Sequence, residues 1–391
     1  MRQVPRSIFI VGGDADGNLG DRGILQSTCE QLQTLAPELA VTVISARPGS
    51  ESYPGATTIP PSLPAICRAA RRADLVLIGG GGLFQDDDSL VKMPYWAALT
   101  ALLRTLCPRV VGHSLGVGPL GAASSRFAAR AAFACMERIS VRDPEAQRIA
   151  RKLTRKPVEL VPDPALLVRP VPAAEARSLL GRHGVPLDTQ PLIGVAPRRW
   201  FPSRPRIIPH RWTARLRRGD PALTRDSAHL ASLLARVLDE AAARHEAFIL
   251  FLPTYTLSHE ADDVVCEQIR SRMSSPDSAI VRIDAPPLYK AVAAQLALML
   301  GGRMHPTIFA TSSTIPAVGL AYNRKFSGFF ELLGQTDLVM DVRDFVDGEL
   351  TAELGAMIDT AWRKQFTLRA RIDVLAASLR QFYGSLLERG A

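Results

Sequence analysis

The chain has few cysteines, no long apolar run and no metal-ligating cluster, and each shortage excludes something. Its five cysteines, Cys29, Cys67, Cys107, Cys135 and Cys266, are odd in number and widely scattered. That argues against a disulfide framework and fits a reducing, cytoplasmic compartment. No segment approaches the roughly 18 continuous apolar residues that a membrane span needs. The first apolar run, "IFIVGG", is too short for a signal core and reads as a strand. No grouping of His, Asp and Glu has metal-ligand spacing, so neither a metal site nor a metal-dependent hydrolase is expected. Internal repeats and low-complexity tracts are missing as well.

What is present is an ordinary globular composition, 47% hydrophobic and 22% charged over 391 residues. That length predicts about two domains. The formal charge of +9 points to an anionic partner. The densest basic run, "RRWFPSRPRIIPHRWTARLRR" (198–218), lacks helical periodicity and reads as a loop. On charge alone it is a solvated loop. It is also where peripheral contact with an anionic membrane surface is expected. Its Trp and Phe residues make only a weak case for nucleic acid, and no nucleic acid is expected as a partner.

Short apolar runs alternate with amphipathic stretches. Strands are predicted at 7–13, 41–46, 75–82, 109–116, 139–143 and 158–163, then at 192–198, 247–253, 279–284, 296–302, 316–322 and 338–342. Continuous apolar strands separated by helices indicate parallel sheets covered on both faces. "VRPVPAAEA" (168–176) reads as a linker. The expected organisation is α/β: two Rossmann-like domains, 1–170 and 171–345, with parallel sheets facing a central cleft, followed by C-terminal helices over 346–391. In such sheets ligands sit beyond the carboxyl ends of the strands, so the residues after each strand carry the information.

After the first strand, Asn18, Gly20 and Asp21 form a turn into a helix. That turn has neither the dinucleotide spacing G-x-G-x-x-G nor the Gly-Lys-Ser of a P-loop. Four consecutive glycines, including Gly80 and Gly81, follow the third predicted strand and imply close approach of a ligand or of another backbone. His113, on the fourth, is a candidate acceptor contact or a hydrogen-bonded structural histidine. Arg142, on the fifth, precedes Asp143 and Pro144, which read as an N-cap and a Pro at N1. In the second half Arg198, Arg303, His305, Arg324 and Lys325 all follow strands. Together they make a clamp for a small, highly charged anion, since Arg binds carboxylate or phosphate bidentately and Lys supplies a point charge. A multivalent anion bound there favours protonated imidazole, so ligand binding would arm His305 as an acid.

These motifs resemble those of the polysaccharide pyruvyl transferase family: "GNLGD" (17–21), "GGGGLFQD" (79–86), "SVRD" (140–143), "VPDPALL" (161–167), "RMH" (303–305) and "YNRK" (322–325). The resemblance runs from about residue 8 to 342. It implies a GT-B-like fold. It implies transfer of pyruvate from phosphoenolpyruvate onto two hydroxyls of a saccharide, with release of phosphate. Phosphoenolpyruvate is then a co-substrate and no cofactor is needed. The family's essential residues would fall on Arg142, His305 and Lys325. Arg303, Arg142, Lys325 and Arg198 would bind the donor, and Asn18, Gly20, Asp21, Gly80, Gly81 and His113 the acceptor. Arg22 stands where the family often has Glu, and Pro306 where it usually has Ala. The acceptor's identity, and whether a lipid carries it, stay open.

Two other readings stay open as well. One is a GT-B glycosyltransferase using a nucleotide sugar. Such enzymes commonly grip the ribose with a Glu on the helix after the second domain's glycine turn, and "PTIFATSS" (306–313) has no carboxylate. The other is a non-catalytic anion-binding protein.

Overall fold

The computed structural model describes residues 5–12, 18–45, 52–87, 89–198, 221–255, 261–363 and 368–388. Gly17 and most of the basic segment, residues 199–218, lie outside them. The described chain forms two compact units, one up to Leu167 and again from Val374 on, the other from Val168 to Asp373.

The first unit is built on a seven-stranded sheet in the order β3-β2-β1-β4-β5-β6-β7. Its strands are β1 (Ser7–Val11), β2 (Ala40–Ile44), β3 (Ala56–Ile59), β4 (Leu75–Gly79), β5 (Val110–Leu115), β6 (Arg138–Val141) and β7 (Val158–Leu160), and every pairing is parallel. Each residue of β4 and of β5 is buried. That is why they read as unbroken apolar runs rather than alternating ones. The helices are α1 (Leu19–Leu35), α2 (Leu63–Arg72), α3 (Lys92–Leu106), α4 (Ala123–Cys135) and α5 (Pro144–Arg151). Buried residues of α2 to α5 share one core with β1, β4, β5 and β6, including Phe84, Met93, Leu103 and Phe133.

The second unit repeats the plan with six parallel strands in the order β10-β9-β8-β11-β12-β13. They are β8 (Leu192–Ala196), β9 (Phe248–Phe251), β10 (Ser278–Ile280), β11 (Leu298–Gly301), β12 (Ala317–Ala321) and β13 (Val339–Asp341). Its helices are α6 (Ala173–Arg182), α7 (Pro221–His245), α8 (Asp262–Arg270), α9 (Pro286–Ala293), α10 (Met304–Ser312), α11 (Arg324–Leu333), α12 (Val342–Asp347) and α13 (Thr351–Arg363). The last helix, α14 (Leu368–Leu387), belongs to the first unit from Val374 on, whereas α12 and α13 belong to the second.

Every predicted strand is found, and one strand, β3, was not predicted. It is an edge strand of sequence ATTI with no fully buried residue, so it lacks the apolar run that marks the others. The stretch read as a linker ends inside α6.

In each sheet the strand order reverses once, between β1 and β4 and between β8 and β11. A crevice forms at the carboxyl ends of strands where the order reverses, and ligands bind there. The Asn18 turn, the Gly80–Gly81 turn, Arg198 and the turn carrying Arg303 follow these very strands, while Arg142 and Lys325 follow β6 and β12.

Candidate functional site

The second unit's switch point gathers the cations. β8 ends just before Arg198, β11 just before Gly302 and Arg303, and β12 just before Tyr322 to Lys325. The three strands are neighbours in the sheet, so their tips are adjacent. The turn after β11 is tight. A Cβ on Gly302 would lie 3.0 Å from the Arg198 amide nitrogen, and Gly302 donates to the Ala196 carbonyl at 2.9 Å. Arg303 is the N-cap residue of α10, and its carbonyl accepts from the Thr307 hydroxyl at 3.0 Å. Asn323 caps α11, its side chain accepting from the Phe326 amide at 3.4 Å.

His305 and Lys325 therefore hold the same place, the second residue of a helix, in adjacent strand–helix repeats. Helix N-termini attract anions through their amide groups and dipole. The Lys325 ammonium opposes the dipole of its own helix and is nonetheless buried, at 4% exposed. A cation in that position is poor helix design and good anion-site design.

Arg303 is aimed by a residue the sequence reading did not single out. Asp262, fully buried at the start of α8, accepts from Arg303 Nη2 at 2.6 Å and from Nε at 3.0 Å. The same carboxylate accepts from the Tyr255 amide at 2.9 Å and the Thr254 hydroxyl at 3.2 Å. The Arg303 guanidinium also lies 5.5 Å from the Tyr255 ring centre. Arg198 lies over Tyr322 at 5.7 Å, and the Tyr322 hydroxyl donates to the Arg198 carbonyl at 2.6 Å.

The first unit's switch point is different in kind. Asn18 caps α1, accepting from the Gly20 amide at 3.0 Å and donating to Asp21 at 2.8 Å. Gly80 and Gly81 have φ of +85° and +89°, and an added Cβ would strike Ile24 at 2.7 Å and Asp21 at 2.6 Å. The glycine turn after β4 is thus closed upon by the first turns of α1. On its other side the Gly80 amide donates to the His113 carbonyl at 3.3 Å. So Asn18, Gly20, Asp21, Gly80, Gly81 and His113 are brought together, as backbone and carboxylate rather than as cations.

The His113 ring is buried and stacks on Phe382 of α14, with ring centres 5.4 Å apart and planes at 20°. Burial pushes its pKa down to about 4, with the Asp163 charge pulling the other way. It is therefore neutral near pH 7.

Arg142 is also buried. Its Nη1 donates to Asp163 at 3.0 Å, and its Nε lies 3.7 Å from Asp143. Asp143 caps α5 from the N-cap position, with Pro144 behind it. The structure thus surrounds Arg142 with two carboxylates. Asp163 lies within the quoted "VPDPALL" stretch, but its role shows only in three dimensions. Among the described residues no group of three or more His, Cys, Asp and Glu side chains is placed to hold a metal ion.

The fold is similar to that of several solved enzymes. UDP-GlcNAc 2-epimerase from Neisseria meningitidis, bound to UDP-GlcNAc, is 10% identical with a TM-score of 0.56, over 98% of this chain and 99% of that one. The UDP-GlcNAc 2-epimerase of Methanocaldococcus jannaschii is 8% identical with a TM-score of 0.56, over 90% and 91%. A glycosyltransferase from Rickettsia africae ESF-5 is 9% identical with a TM-score of 0.52, over 98% and 99%. At these identities the likeness shows the fold alone, GT-B-like with two Rossmann-like units. The sequence profile described as polysaccharide pyruvyl transferase matches residues 18–324. The match opens on the Asn18 cap, takes in Arg142, Arg303 and His305, and stops one residue short of Lys325. Spanning both switch points and well over half of the chain, it shows that the protein belongs to the polysaccharide pyruvyl transferase family.

Proposed function

We propose that the protein moves the pyruvate of phosphoenolpyruvate onto two hydroxyls of a saccharide, forming a ketal and releasing phosphate. The observation that carries this reading is the charge at the second switch point. Arg198, Arg303 and Lys325 converge with His305 on adjacent strand tips and two helix N-termini, against the carboxylate of Asp262. A donor with a carboxylate and a phosphate on neighbouring atoms needs that excess of cations.

In this reading His305 gives a proton to the donor's methylene carbon, and C2 becomes electrophilic. One sugar oxygen bonds to C2, the C2–O bond to phosphate breaks, and the second sugar oxygen closes the ketal. Of the two hydroxyl protons released, one replaces the proton His305 gave and the other leaves with phosphate. Lys325 and Arg303 stabilise charge on the departing phosphate and the carboxylate. The first unit serves the acceptor, because carboxylates and backbone groups accept hydrogen bonds from sugar hydroxyls. Arg142, neutralised by Asp163 and Asp143, holds that edge in shape. Phosphoenolpyruvate is the only co-substrate required, and the site of action is the cytoplasm. The acceptor is a saccharide, with a lipid-linked one as the form to test first.

The test is incubation with phosphoenolpyruvate and saccharide acceptors, with phosphate release and acceptor mass both measured. Stoichiometric phosphate and a pyruvate-substituted acceptor are expected. Nucleotide release from a nucleotide sugar, with no reaction of phosphoenolpyruvate, would replace this reading with glycosyl transfer.

A further inference from the structure

We propose that the layer formed by α2, α3 and α4 of the first unit docks on an anionic phospholipid bilayer. Three observations meet there. Seven large apolar side chains are exposed among the described residues, and four belong to this layer: Leu63, Val91, Tyr95 and Phe127. Phe127 is the most exposed of all, at 72%. Apolar exposure concentrated in this way marks an interaction surface, whereas single scattered residues do not.

The second observation is position. Leu63 opens α2, Val91 precedes α3, and Tyr95 and Phe127 lie in the first two turns of α3 and α4. In a parallel α/β unit each helix starts at the carboxyl edge of the sheet. The four side chains therefore line the same edge as the Gly80–Gly81 turn. The helices are also contiguous, since α3 packs against both α2 and α4.

The third is charge. Arg68, Arg71 and Arg72 lie on α2, Lys92 and Arg104 on α3, and Arg126 and Arg130 on α4, with no Asp or Glu on any of the three helices. Asp88 lies outside the described residues, and the described carboxylates that flank the helices are engaged or half-buried. Asp86 accepts from the Gly121 and Ala122 amides, Asp74 from Arg6 and Ser7, Glu137 from Arg109, and Asp87 is half-buried. Apolar tips at the helix starts, with Lys92 and Arg126 beside them and the other cations farther along the same helices, match a bilayer surface, where tips enter the headgroup region and cations meet anionic lipid. A second copy of the chain fits poorly. A two-fold contact would set this face against itself and oppose like charges. Nucleic acid would use the cations and leave Leu63 and Val91 without a partner.

This inference does not depend on the proposed reaction, because the binding is read without turnover. The experiment is sedimentation of the full chain with phosphatidylcholine vesicles and with vesicles containing about a third phosphatidylglycerol. Binding to the anionic vesicles alone, weakening as salt rises, is expected. Tyr95→Ser with Phe127→Ser, and separately Arg104→Gln with Arg130→Gln, should each weaken it about tenfold. All four side chains are exposed, so folding and turnover of a soluble acceptor should stay as in the parent. Equal binding to neutral vesicles would overturn the proposal. So would anionic binding untouched by either pair, which assigns it to another surface such as the basic segment. Concentration-dependent self-association abolished by Phe127→Ser, without vesicle binding, would give the face to a second copy and overturn it too.

Discussion

The two units share a topology and differ at the same point of it. In both, the strand order reverses beside the first strand of the unit, and a glycine-containing turn follows the strand across the break. At the second unit's break the side chains are Arg198, Arg303, His305 and Lys325 with the carboxylate of Asp262. At the first unit's break they are Asn18 and Asp21, with Arg142 farther along the same edge, held between Asp163 and Asp143. One frame thus presents an excess of cations and the other an excess of hydrogen-bond acceptors. The lesson is that charge, not backbone, distinguishes the two edges, and the proposed donor and acceptor roles rest on that difference. Both edges have the helix N-termini and close backbone turns that a phosphate could use.

The histidines sharpen this contrast most. His305 sits half-buried at a helix N-terminus among cations, and His113 is fully buried against Phe382 and Tyr383. His305→Ala should lower kcat by about a hundredfold or more, the scale of a lost general acid, with donor affinity much less affected. Steady-state kinetics with direct binding of phosphoenolpyruvate checks this. Near-parental kcat in a folded His305→Ala protein would break the assignment.

Next in size is Lys325. Its ammonium is buried at the first turn of α11, while its neighbour Arg324 is exposed. Lys325→Ala should raise donor KM and lower kcat, about tenfold each, because one charge holds the ground state and the departing phosphate. Arg324→Ala should change either value less than about threefold. Equal kinetic effects from the two substitutions would show that only general positive charge matters.

The paired carboxylates come third. Asp262→Asn keeps an acceptor for the Tyr255 amide but loosens Arg303, so donor KM should rise about tenfold. In the Arg303→Gln background the same change should add little, which marks Asp262 as a positioning residue. Asp163→Asn should instead cost stability, on the order of 3 kcal/mol for breaking a buried pair, and leave donor KM within about twofold. If Asp163→Asn weakened the donor and Asp262→Asn did not, the assignment of the two edges would reverse.

The sequence made the frame legible because parallel strands buried on both faces are unbroken apolar runs, and the chemistry follows them directly. β4 and its glycines, and β11 with "GGRMH", can be read without a structure. β3 could not, because a Thr-rich edge strand buries little. Asp262 and Asp163 could not either. They meet Arg303 and Arg142 from 41 and 21 residues away, and spacing along the chain carries no trace of such a pairing. The charge state of the first switch point was hidden for the same reason. A local pair of Arg142 with Asp143 can be read in the sequence, but its closer partner, Asp163, shows only in the fold.

The smallest effect on activity is expected from His113, and its signature lies in stability. The unfolded imidazole takes a proton near pH 6.5, whereas burial holds the folded one down to about 4. Between those values the unfolded chain binds a proton that the native chain refuses. His113 thus contributes stability that is complete above pH 6.5 and is lost as pH falls towards 4, with a slope of at most about 1.4 kcal/mol per pH unit. His113→Gln cannot take that proton in either state. It should lower stability at pH 7 through poorer packing on Phe382, and it should remove this component of the acid slope. Chemical denaturation of both proteins from pH 7.5 to 4.5 checks it. Parallel curves would mean that the ring is already protonated or solvated in the native state. The first switch point would then hold a cation, and the division between a donor edge and an acceptor edge would lose its electrostatic basis.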